Sequence, residues 1–364
     1  MYMTSKSLLS YINPLEYLRT EKVIYSNPTL PPERKEEIQP IYTVYEYDEK
    51  HCESLQLGRV EDSFTYIDSG SNTWINVDGL KEKEVEILCA KYNIHLLIVE
   101  DILSLGQRPK MEEVNGLIFC TLNMLFYNAQ NYTVEREQVS LVLGERFVIS
   151  FQEDPKRDVF KPLRDRLKLD GSKVRQNKVD FLFYMLIDLI VDNFYIVIER
   201  LAERIVILEE DILKKADTRN LARINRLRNE MIVMKQSIAP VRELVNGILR
   251  SENELIDERT EKYFKDVYDH IVQANELCEN YREMIMSLQD LYMSMVNLKM
   301  NEVMKVMAVV TSLLAPATVI GGIFGMNFDD IPLLHNQWGF YISVGIMLII
   351  PFLMLREFKR RGWF

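Results

Sequence analysis

The chain has 364 residues, of which 48% are hydrophobic and 27% are charged, and its formal net charge is −10 at neutral pH. This composition provides for a sizeable core in two or more structural units and excludes an intrinsically disordered chain. The acidic excess, without any segment that collects Lys and Arg, argues against nucleic acid as a partner and suits cations better.

The N-terminal stretch MYMTSKSLLSYINP contains no apolar run long enough for a signal peptide or a membrane anchor. We therefore expect the chain upstream of residue 300 to stay in the cytosol. The cysteines are far apart and include no CxxC pair, which predicts unpaired thiols rather than a zinc ribbon or a disulfide framework. They are Cys52, Cys89, Cys120 and Cys278.

The first 170 residues are predicted to form a cytosolic α+β domain. Several segments alternate between apolar and polar residues, as half-buried strands do. They are residues 39–49, 63–70, 72–77, 116–128, 138–144 and 146–153. Residues 81–93 and 95–105 have the pattern of helices, so we expect a mixed sheet covered by helices.

No motif for bound nucleotide or catalysis occurs in the chain. GxxxxGK[ST], GxGxxG and HExxH are all absent, and no nucleophile or acid–base pair stands out. The protein is therefore not expected to be an enzyme, nor to hold a nucleotide or a prosthetic group. Asp266, Asp269 and His270 are close together on one predicted helix, where a solvated face is the preferred interpretation over a metal site.

Residues 171–305 are predicted to be helical, with helices at 179–215 and 218–248 and a long stalk helix from about residue 251. The stalk contains neither Gly nor Pro until Pro316, and at 1.5 Å per residue it would be on the order of 100 Å long. Such a helix must pack against the preceding helices, against copies of itself, or both. Its predicted apolar stripe consists of Leu277, Tyr281, Met284, Leu288, Leu291 and Met295.

Residues 306–364 are predicted to form a membrane domain with two transmembrane helices, at about 306–327 and 338–356. Residues 306–328 and 338–355 contain no Asp, Glu, Lys or Arg, and these runs reach the length that crosses a bilayer. Basic residues flank both runs on their outer sides, so both termini are expected in the cytoplasm. The short loop between the runs then faces outward, where Asp329 and Asp330 would attract cations.

The first predicted span carries a stripe of polar and small residues at helical spacing. Its members are Asn301, Met304, Met307, Thr311, Ala315, Thr318 and Gly322. Such a stripe is typical of either helix–helix contact or a water-lined path. Two spans cannot enclose a pore, but several first spans around a symmetry axis can.

The tripeptide Gly325-Met326-Asn327 ends this span, and in that position the chain resembles the CorA family of magnesium channels. Nearly the whole chain shares the resemblance, including four further segments. They are VEDILSLGQRPK (99–110), EQVSLVLG (137–144), YFKDVYDH (263–270) and NEVMKVM (301–307). The resemblance implies a homopentameric funnel in the cell (inner) membrane whose first spans line the pore.

Carried over by position, the resemblance places Asn327 at the outer mouth and makes the seven-residue stripe pore-lining. Gly325 is expected to let the chain leave the helix, with Met326 packed beneath the Asn327 ring. Some relatives narrow the pore with a bulky apolar side chain where this chain has Ala315, so Met304 and Met307 are expected to form the main apolar gate. The metal-binding positions that match the family's regulatory carboxylates are Asp101 and Asp266.

The implied function is uptake of Mg²⁺, and of Co²⁺ and Ni²⁺ as further candidates, driven by the membrane potential and gated by internal Mg²⁺. Mg²⁺ dehydrates reluctantly, so an amide ring at Asn327 would contact the waters of the hydrated ion. Mg²⁺ is then both the transported and the regulatory ion. A zinc transporter of the same superfamily and a membrane-tethered helical scaffold without transport remain as alternatives.

Overall fold

The computed structural model describes residues 39–67, 70–155, 157–328, 331–333 and 336–363. The chain divides into two compact units. The first unit runs as far as Leu201 and also contains Arg228–Asn280, whereas the second comprises Ala202–Leu227 and the residues from Tyr281 onward. The sequence-based division at residues 170 and 305 stays a prediction.

The first unit contains a mixed sheet, as predicted. Its strands are β1 (Ile41–Tyr47), β2 (Cys52–Leu57), β3 (Asn72–Asp78), β4 (Lys110–Val114), β5 (Leu117–Asn128), β6 (Thr133–Leu143) and β7 (Phe147–Gln152). Their order across the sheet is β2-β1-β3-β7-β6-β5-β4. The central pair β3–β7 is parallel, and the remaining pairs are antiparallel.

One face of the sheet packs against two short helices, α1 (Glu82–Lys91) and α2 (Leu96–Leu103). The residues of this core are apolar and almost fully buried, among them Ile75, Leu88 and Ile98. Burial of such side chains stabilises the fold by about 1.5 to 3 kcal/mol each. The two predicted helices at 81–93 and 95–105 are therefore confirmed.

Hydrogen bonds tie β5 and β6 to the long helices. The chain continues through α3 (Lys161–Lys168) and α4 (Lys173–Gln176) into α5 (Val179–Lys214), α6 (Thr218–Arg250), α7 (Glu258–Phe324) and α8 (Gly339–Arg360). Asn193 on α5 donates to the backbone carbonyl of Leu125, and the Glu230 carboxylate on α6 accepts from the backbone N–H of Val134. Both partners belong to the first unit.

The predicted strand at 63–70 is wrong, because residues Val60–Tyr66 form a 3-10 helix. Ser63 donates its hydroxyl to the Val60 carbonyl at 2.6 Å, and Thr65 donates to the Asp62 carbonyl at 3.1 Å. These local bonds favour a helical turn over a strand. Residues 68 and 69 of the predicted strand lie outside the described residues.

Strands β2 and β4 were not predicted, since both are edge strands. Their side chains are mostly exposed or half-buried, so no apolar alternation marks them in the sequence. Cys52 on β2 is accordingly half-exposed, whereas Cys89, Cys120 and Cys278 are buried, and all four thiols are unpaired.

Buried Glu137 on β6 predicts a pH-dependent stability. Burial raises its pKa to about 7, although the backbone N–H groups of Glu153 and Asp154 donate to its Oε1 at 2.8 Å each. The folded state therefore binds more protons than the unfolded state between about pH 4.5 and 7, and stability is lost as the pH rises through that window. The raised pKa costs at most about 3 kcal/mol above pH 7. We expect Glu137→Gln to raise the midpoint of thermal unfolding at pH 8 by several degrees.

At pH 5 the same substitution should change the midpoint little, because the wild-type carboxyl is then protonated in the folded state. Glu113→Gln, at an exposed position of β4, is the matched control. An equal effect of Glu137→Gln at pH 5 and pH 8 would contradict the assignment.

The long helices agree with the sequence prediction, except at one start. Helix α7 begins at Glu258 rather than near residue 251. Asp257 caps it, since its side chain accepts from the backbone N–H of Arg259 at 3.0 Å. The preceding residues are held in turns, with the Asn253 side chain accepting from the backbone N–H of Leu255.

The buried stripe of α7 differs from the predicted one. Upstream of the predicted span, its buried apolar residues repeat in steps of three, four or seven and are Phe264, Val267, Ile271, Ala274, Cys278, Ile285, Leu288 and Tyr292. Of the six predicted residues, Leu288 alone is buried, and Met284 is exposed. Apolar residues occupy a wider part of the surface of α7 than the buried stripe alone. The sequence therefore does not reveal which of them pack against other helices of the same chain.

Candidate functional site

Three described helices are long and apolar enough to cross a membrane: α5, α7 and α8. Burial separates them, because 61% of the most apolar window of α5 is buried inside the protein, against 6% in α7 and 11% in α8. An apolar helix that is already buried needs no lipid to cover it. The observation favours spans in α7 and α8, as the sequence predicts.

Each of these two helices has one stripe of residues that is less exposed than the rest of its surface. On α7 the less exposed positions include Val309, Ser312 and Pro316, and on α8 they include Ser343 and Pro351. At the end of this region, Lys305 donates its ammonium to the backbone carbonyl of Gly362 at 3.2 Å. We infer that α7 and α8 cover each other along these stripes.

The predicted pore-lining residues lie on the uncovered side of α7. All seven are exposed: Asn301, Met304, Met307, Thr311, Ala315, Thr318 and Gly322. Met304 and Met307 are 62% and 63% exposed. A Cβ at Gly322 would meet no atom within 4 Å, so no other part of the described chain approaches the helix at this residue. The helix thus presents a mixed polar and thioether stripe that its own chain leaves open.

The two threonines of this stripe have a defined orientation. Thr311 donates its hydroxyl to the Met307 carbonyl at 2.9 Å, and Thr318 donates to the Leu314 carbonyl at 3.1 Å. Each hydroxyl proton is therefore used within the helix, and the oxygen keeps its lone pairs for another donor. Such oxygens can accept from the water protons of a hydrated cation.

The Gly325-Met326-Asn327 segment continues the helical hydrogen bonding for a few residues. Gly325 donates its N–H to the Gly321 carbonyl at 3.0 Å, and Met326 donates to Ile323 at 3.2 Å. A Cβ on residue 325 would lie 3.2 Å from the Gly321 carbonyl oxygen. A side chain at this position would therefore be tightly placed against the helix backbone, although the φ of Gly325 is not positive.

Met326 and Asn327 are both exposed. Met326 is 52% exposed in the single chain, and its packing beneath a ring of Asn327 side chains stays a prediction about the assembly. The predicted cation-attracting residues Asp329 and Asp330 lie outside the described residues.

Of the two predicted regulatory carboxylates, Asp101 already forms a salt bridge within the chain. Lys110 donates to its Oδ2 at 2.7 Å and to Glu112 at 2.8 Å. Partial burial opposes the charge of Lys110, but these two hydrogen bonds outweigh it and raise its pKa. A cation at Asp101 would have to displace or share this ammonium.

Asp266 is exposed and lies beside a cluster that the sequence did not reveal. Asp188 and Asp192 on α5 and His270 on α7 offer ligand atoms within 4.8 Å of one another. Asp266 Oδ2 lies 4.0 Å from His270 Nε2. The interpretation of Asp266, Asp269 and His270 as a wholly solvated face is therefore wrong for His270, which is half-buried against α5.

The cluster contains two carboxyl groups and one imidazole. Burial and the Asp192 carboxylate both raise the pKa of Asp188. The Nδ1 of His270 is buried and has no hydrogen-bond partner in the part of the chain that the structure describes. Carboxylate oxygens together with an imidazole are ligands that divalent cations accept. The sequence signal was the spacing of Asp188 and Asp192, one helical turn apart.

The sequence of the chain is similar to those of known proteins over most of its length. Residues 69–360 match the model of a family described as CorA-like Mg²⁺ transporter protein. The chain is 35% identical over 321 residues to a cobalt/magnesium transport protein CorA of Thermotoga maritima, with 88% of this chain and 91% of the relative covered. It is 25% identical to the corresponding protein of Methanocaldococcus jannaschii, covering 80% of this chain and 90% of that one.

The fold also matches a solved structure, that of the complete CorA magnesium transporter from Methanocaldococcus jannaschii. The TM-score is 0.72, and the match covers 90% of this chain and 99% of the other at 22% identity. At that identity, the match shows the fold. The family match over most of the chain carries the conclusion that this protein belongs to the CorA-like Mg²⁺ transporter family and is a membrane transporter rather than an enzyme.

Proposed function

We propose that the protein is a channel for hydrated divalent cations that mediates Mg²⁺ uptake, with Co²⁺ and Ni²⁺ as further substrates. Each elementary charge gains about 2.3 kcal/mol per 100 mV of inside-negative potential, hence about 4.6 kcal/mol for a divalent ion. Uptake then requires no nucleotide. In this proposal both termini lie in the cytoplasm and two helices span the membrane.

The observation that carries the proposal is the uncovered stripe of α7. A stripe of amide, hydroxyl, thioether and small residues on a membrane helix is typical of contact with another helix or with water rather than with lipid. In a homopentamer the five stripes would surround one axis. The back-bonded hydroxyls of Thr311 and Thr318 favour a water-filled axis, since their acceptor oxygens remain available.

Selection is proposed to occur at Asn327. Its amide oxygen accepts from the protons of the ion's own waters, which recognises a hydrated cation without the cost of dehydration. The amide carries no net charge, so the ion is not held as it would be by a carboxylate ring. Neutral oxygen acceptors suit a hard ion such as Mg²⁺ better than Zn²⁺.

Met304 and Met307 are proposed to form the closed gate. Rings of apolar thioethers narrow the path, and an apolar constriction stops ions by excluding water. A modest widening readmits water and opens the path. Ala315 is too small to form a second such constriction.

Regulation is proposed to depend on internal Mg²⁺ held by Asp101 and Asp266 of adjacent copies. The Asp188, Asp192 and His270 cluster supports this proposal, because it places further ligand atoms beside Asp266. Bound cations would offset repulsion between carboxylates and hold the assembly closed. At low internal Mg²⁺ the repulsion would return and release the gate.

Lys110 offers a test of this regulation that the structure itself suggests. Its ammonium contacts Asp101 at 2.7 Å and therefore competes with a cation. We expect Lys110→Met to let internal Mg²⁺ close the channel at a concentration several-fold lower, on the scale of one charge-assisted hydrogen bond. Patch recording with a stepped internal Mg²⁺ concentration measures this shift. A shift in the opposite direction would argue that Lys110 supports the closed state.

The proposed function is tested with liposomes that contain the purified protein. Uptake of Mg²⁺, Co²⁺, Ni²⁺ and Zn²⁺ is compared with and without an imposed voltage and a pH gradient. Voltage-driven Mg²⁺ uptake supports the channel. Uptake of Zn²⁺ alone would indicate a zinc transporter, and no uptake of any ion would indicate a scaffold.

A further inference from the structure

A cavity of about 630 Å³ lies between the sheet and α6 in the first unit. Eleven residues line it: Gly106, Gln107, Arg108, Pro109, Asn123, Arg136, Ile232, Lys235, Gln236, Ala239 and Pro240. Three of them are basic and none is acidic, although the whole chain has 54 acidic and 44 basic residues. The volume is typical of small-molecule sites.

Two of the cations that line this cavity lack a counter-ion. The side chains of the exposed Arg108 and of the half-buried Arg136 form no hydrogen bond or ion pair with any of the residues that the structure describes. Lys235, in contrast, pairs with Glu279. A half-buried charge without a partner is costly, so the position of Arg136 favours an anion in the cavity.

The amide of Asn123 also faces the cavity. The residue is 3% exposed as a whole and forms no side-chain hydrogen bond with the described residues, and its amide atoms are not among the fully buried ones. The amide is therefore available to a water or a ligand in the cavity. The register of β5 and β6 pairs Leu125 with Arg136 and Asn123 with Gln138, so Asn123 and Arg136 are diagonal neighbours on one face of the sheet.

Gln138 on β6 holds in place residues 106–109, which form another wall of the cavity. Its Oε1 accepts from the backbone N–H of Gln107 at 3.1 Å, and its Nε2 donates to the backbone carbonyl of Asp101 at 2.9 Å. These two bonds fix the segment that carries Arg108 beside the sheet. The backbone that carries Arg108 is thus held beside the sheet by the fold.

We propose that this cavity binds a soluble phosphorylated metabolite. Guanidinium groups pair with phosphate oxygens through two parallel hydrogen bonds, and Asn123 would donate a further one. The apolar walls formed by Ile232, Ala239 and Pro240 suit the ring of an organic phosphate. Side chains supply the charge here, so a glycine-rich phosphate loop is not needed. This proposal is independent of the transport function.

Calorimetric titration of the purified full-length protein tests the proposal, with pyrophosphate, glucose 6-phosphate and AMP as separate probes in a buffer without Mg²⁺. At least one probe should bind, and Arg136→Gln should weaken its binding about tenfold or more. Asn123→Asp, which keeps the size and adds a negative charge, should abolish it. Arg136→Lys should restore part of the affinity, and Arg166→Gln, on exposed α3, should leave it unchanged.

Several outcomes would overturn the proposal. One is that no probe binds at millimolar concentration, and another is that Arg136→Gln binds as tightly as the wild type. The proposal would also be overturned if citrate bound but no phosphate did. The same holds if phosphatidic acid in mixed micelles bound but no soluble phosphate did. Midpoints of thermal unfolding of all variants confirm that a loss of binding does not reflect a loss of folding.

Discussion

Replacing Asn327 by Ala is expected to abolish most cation uptake while the protein still folds and assembles. The substitution removes an amide acceptor from every copy around the axis. If two water-mediated contacts to the ion are lost, uptake should fall by about a hundredfold, on the scale of hydrogen bonds to charged groups. Radiotracer or dye-based uptake of Mg²⁺ into liposomes measures the loss. Asn327 is exposed, so little stability should be lost with it.

Two further variants sharpen this test. Asn327→Asp keeps the size and adds a charge, so it should lower both the half-saturating Mg²⁺ concentration and the maximal rate, because release becomes slow. Asn280→Ala removes an exposed amide from α7 outside the predicted span and should leave uptake unchanged. Full uptake by Asn327→Ala in an intact assembly would exclude selection at this residue.

Replacing both Asp101 and Asp266 by Asn is expected to leave the channel open when internal Mg²⁺ is high. The change removes two carboxylates per subunit while keeping the side-chain size. At least about tenfold more internal Mg²⁺ should be needed for closure, because each lost ion–carboxylate contact weakens binding substantially. Patch recording at fixed voltage with increasing internal Mg²⁺ measures this dependence.

Asp269→Asn is the matched control, since Asp269 is an exposed carboxylate on the same helix, three residues from Asp266. It should leave closure by Mg²⁺ unchanged. The variants Asp188→Asn and Asp192→Asn separate the roles of the cluster. If they alone abolish closure while the double variant at 101 and 266 behaves as wild type, regulation resides within one chain instead of between copies.

The helices and most of the strands could be predicted from the sequence. Long periodic segments specified α5 and α6 to within a few residues, although α6 contains Pro240, and they specified α7 apart from its start at Glu258. Apolar alternation specified β1, β3, β5, β6 and β7. These signals are local, because side-chain periodicity follows directly from the backbone geometry of each element. The same locality explains the error at Val60–Tyr66, where hydroxyl bonds to the preceding backbone decide the conformation.

The candidate site likewise has features that the sequence predicts and features that only the tertiary structure reveals. The sequence by itself determined the exposed stripe from Asn301 to Gly322, because residues at steps of three and four on one helix share a face in any fold. The tertiary structure alone decided that Lys110 neutralises Asp101, that His270 meets Asp188 and Asp192, and that Arg136 and Asn123 line one cavity. Those contacts join residues on separate elements, and only the packing of these elements brings them together.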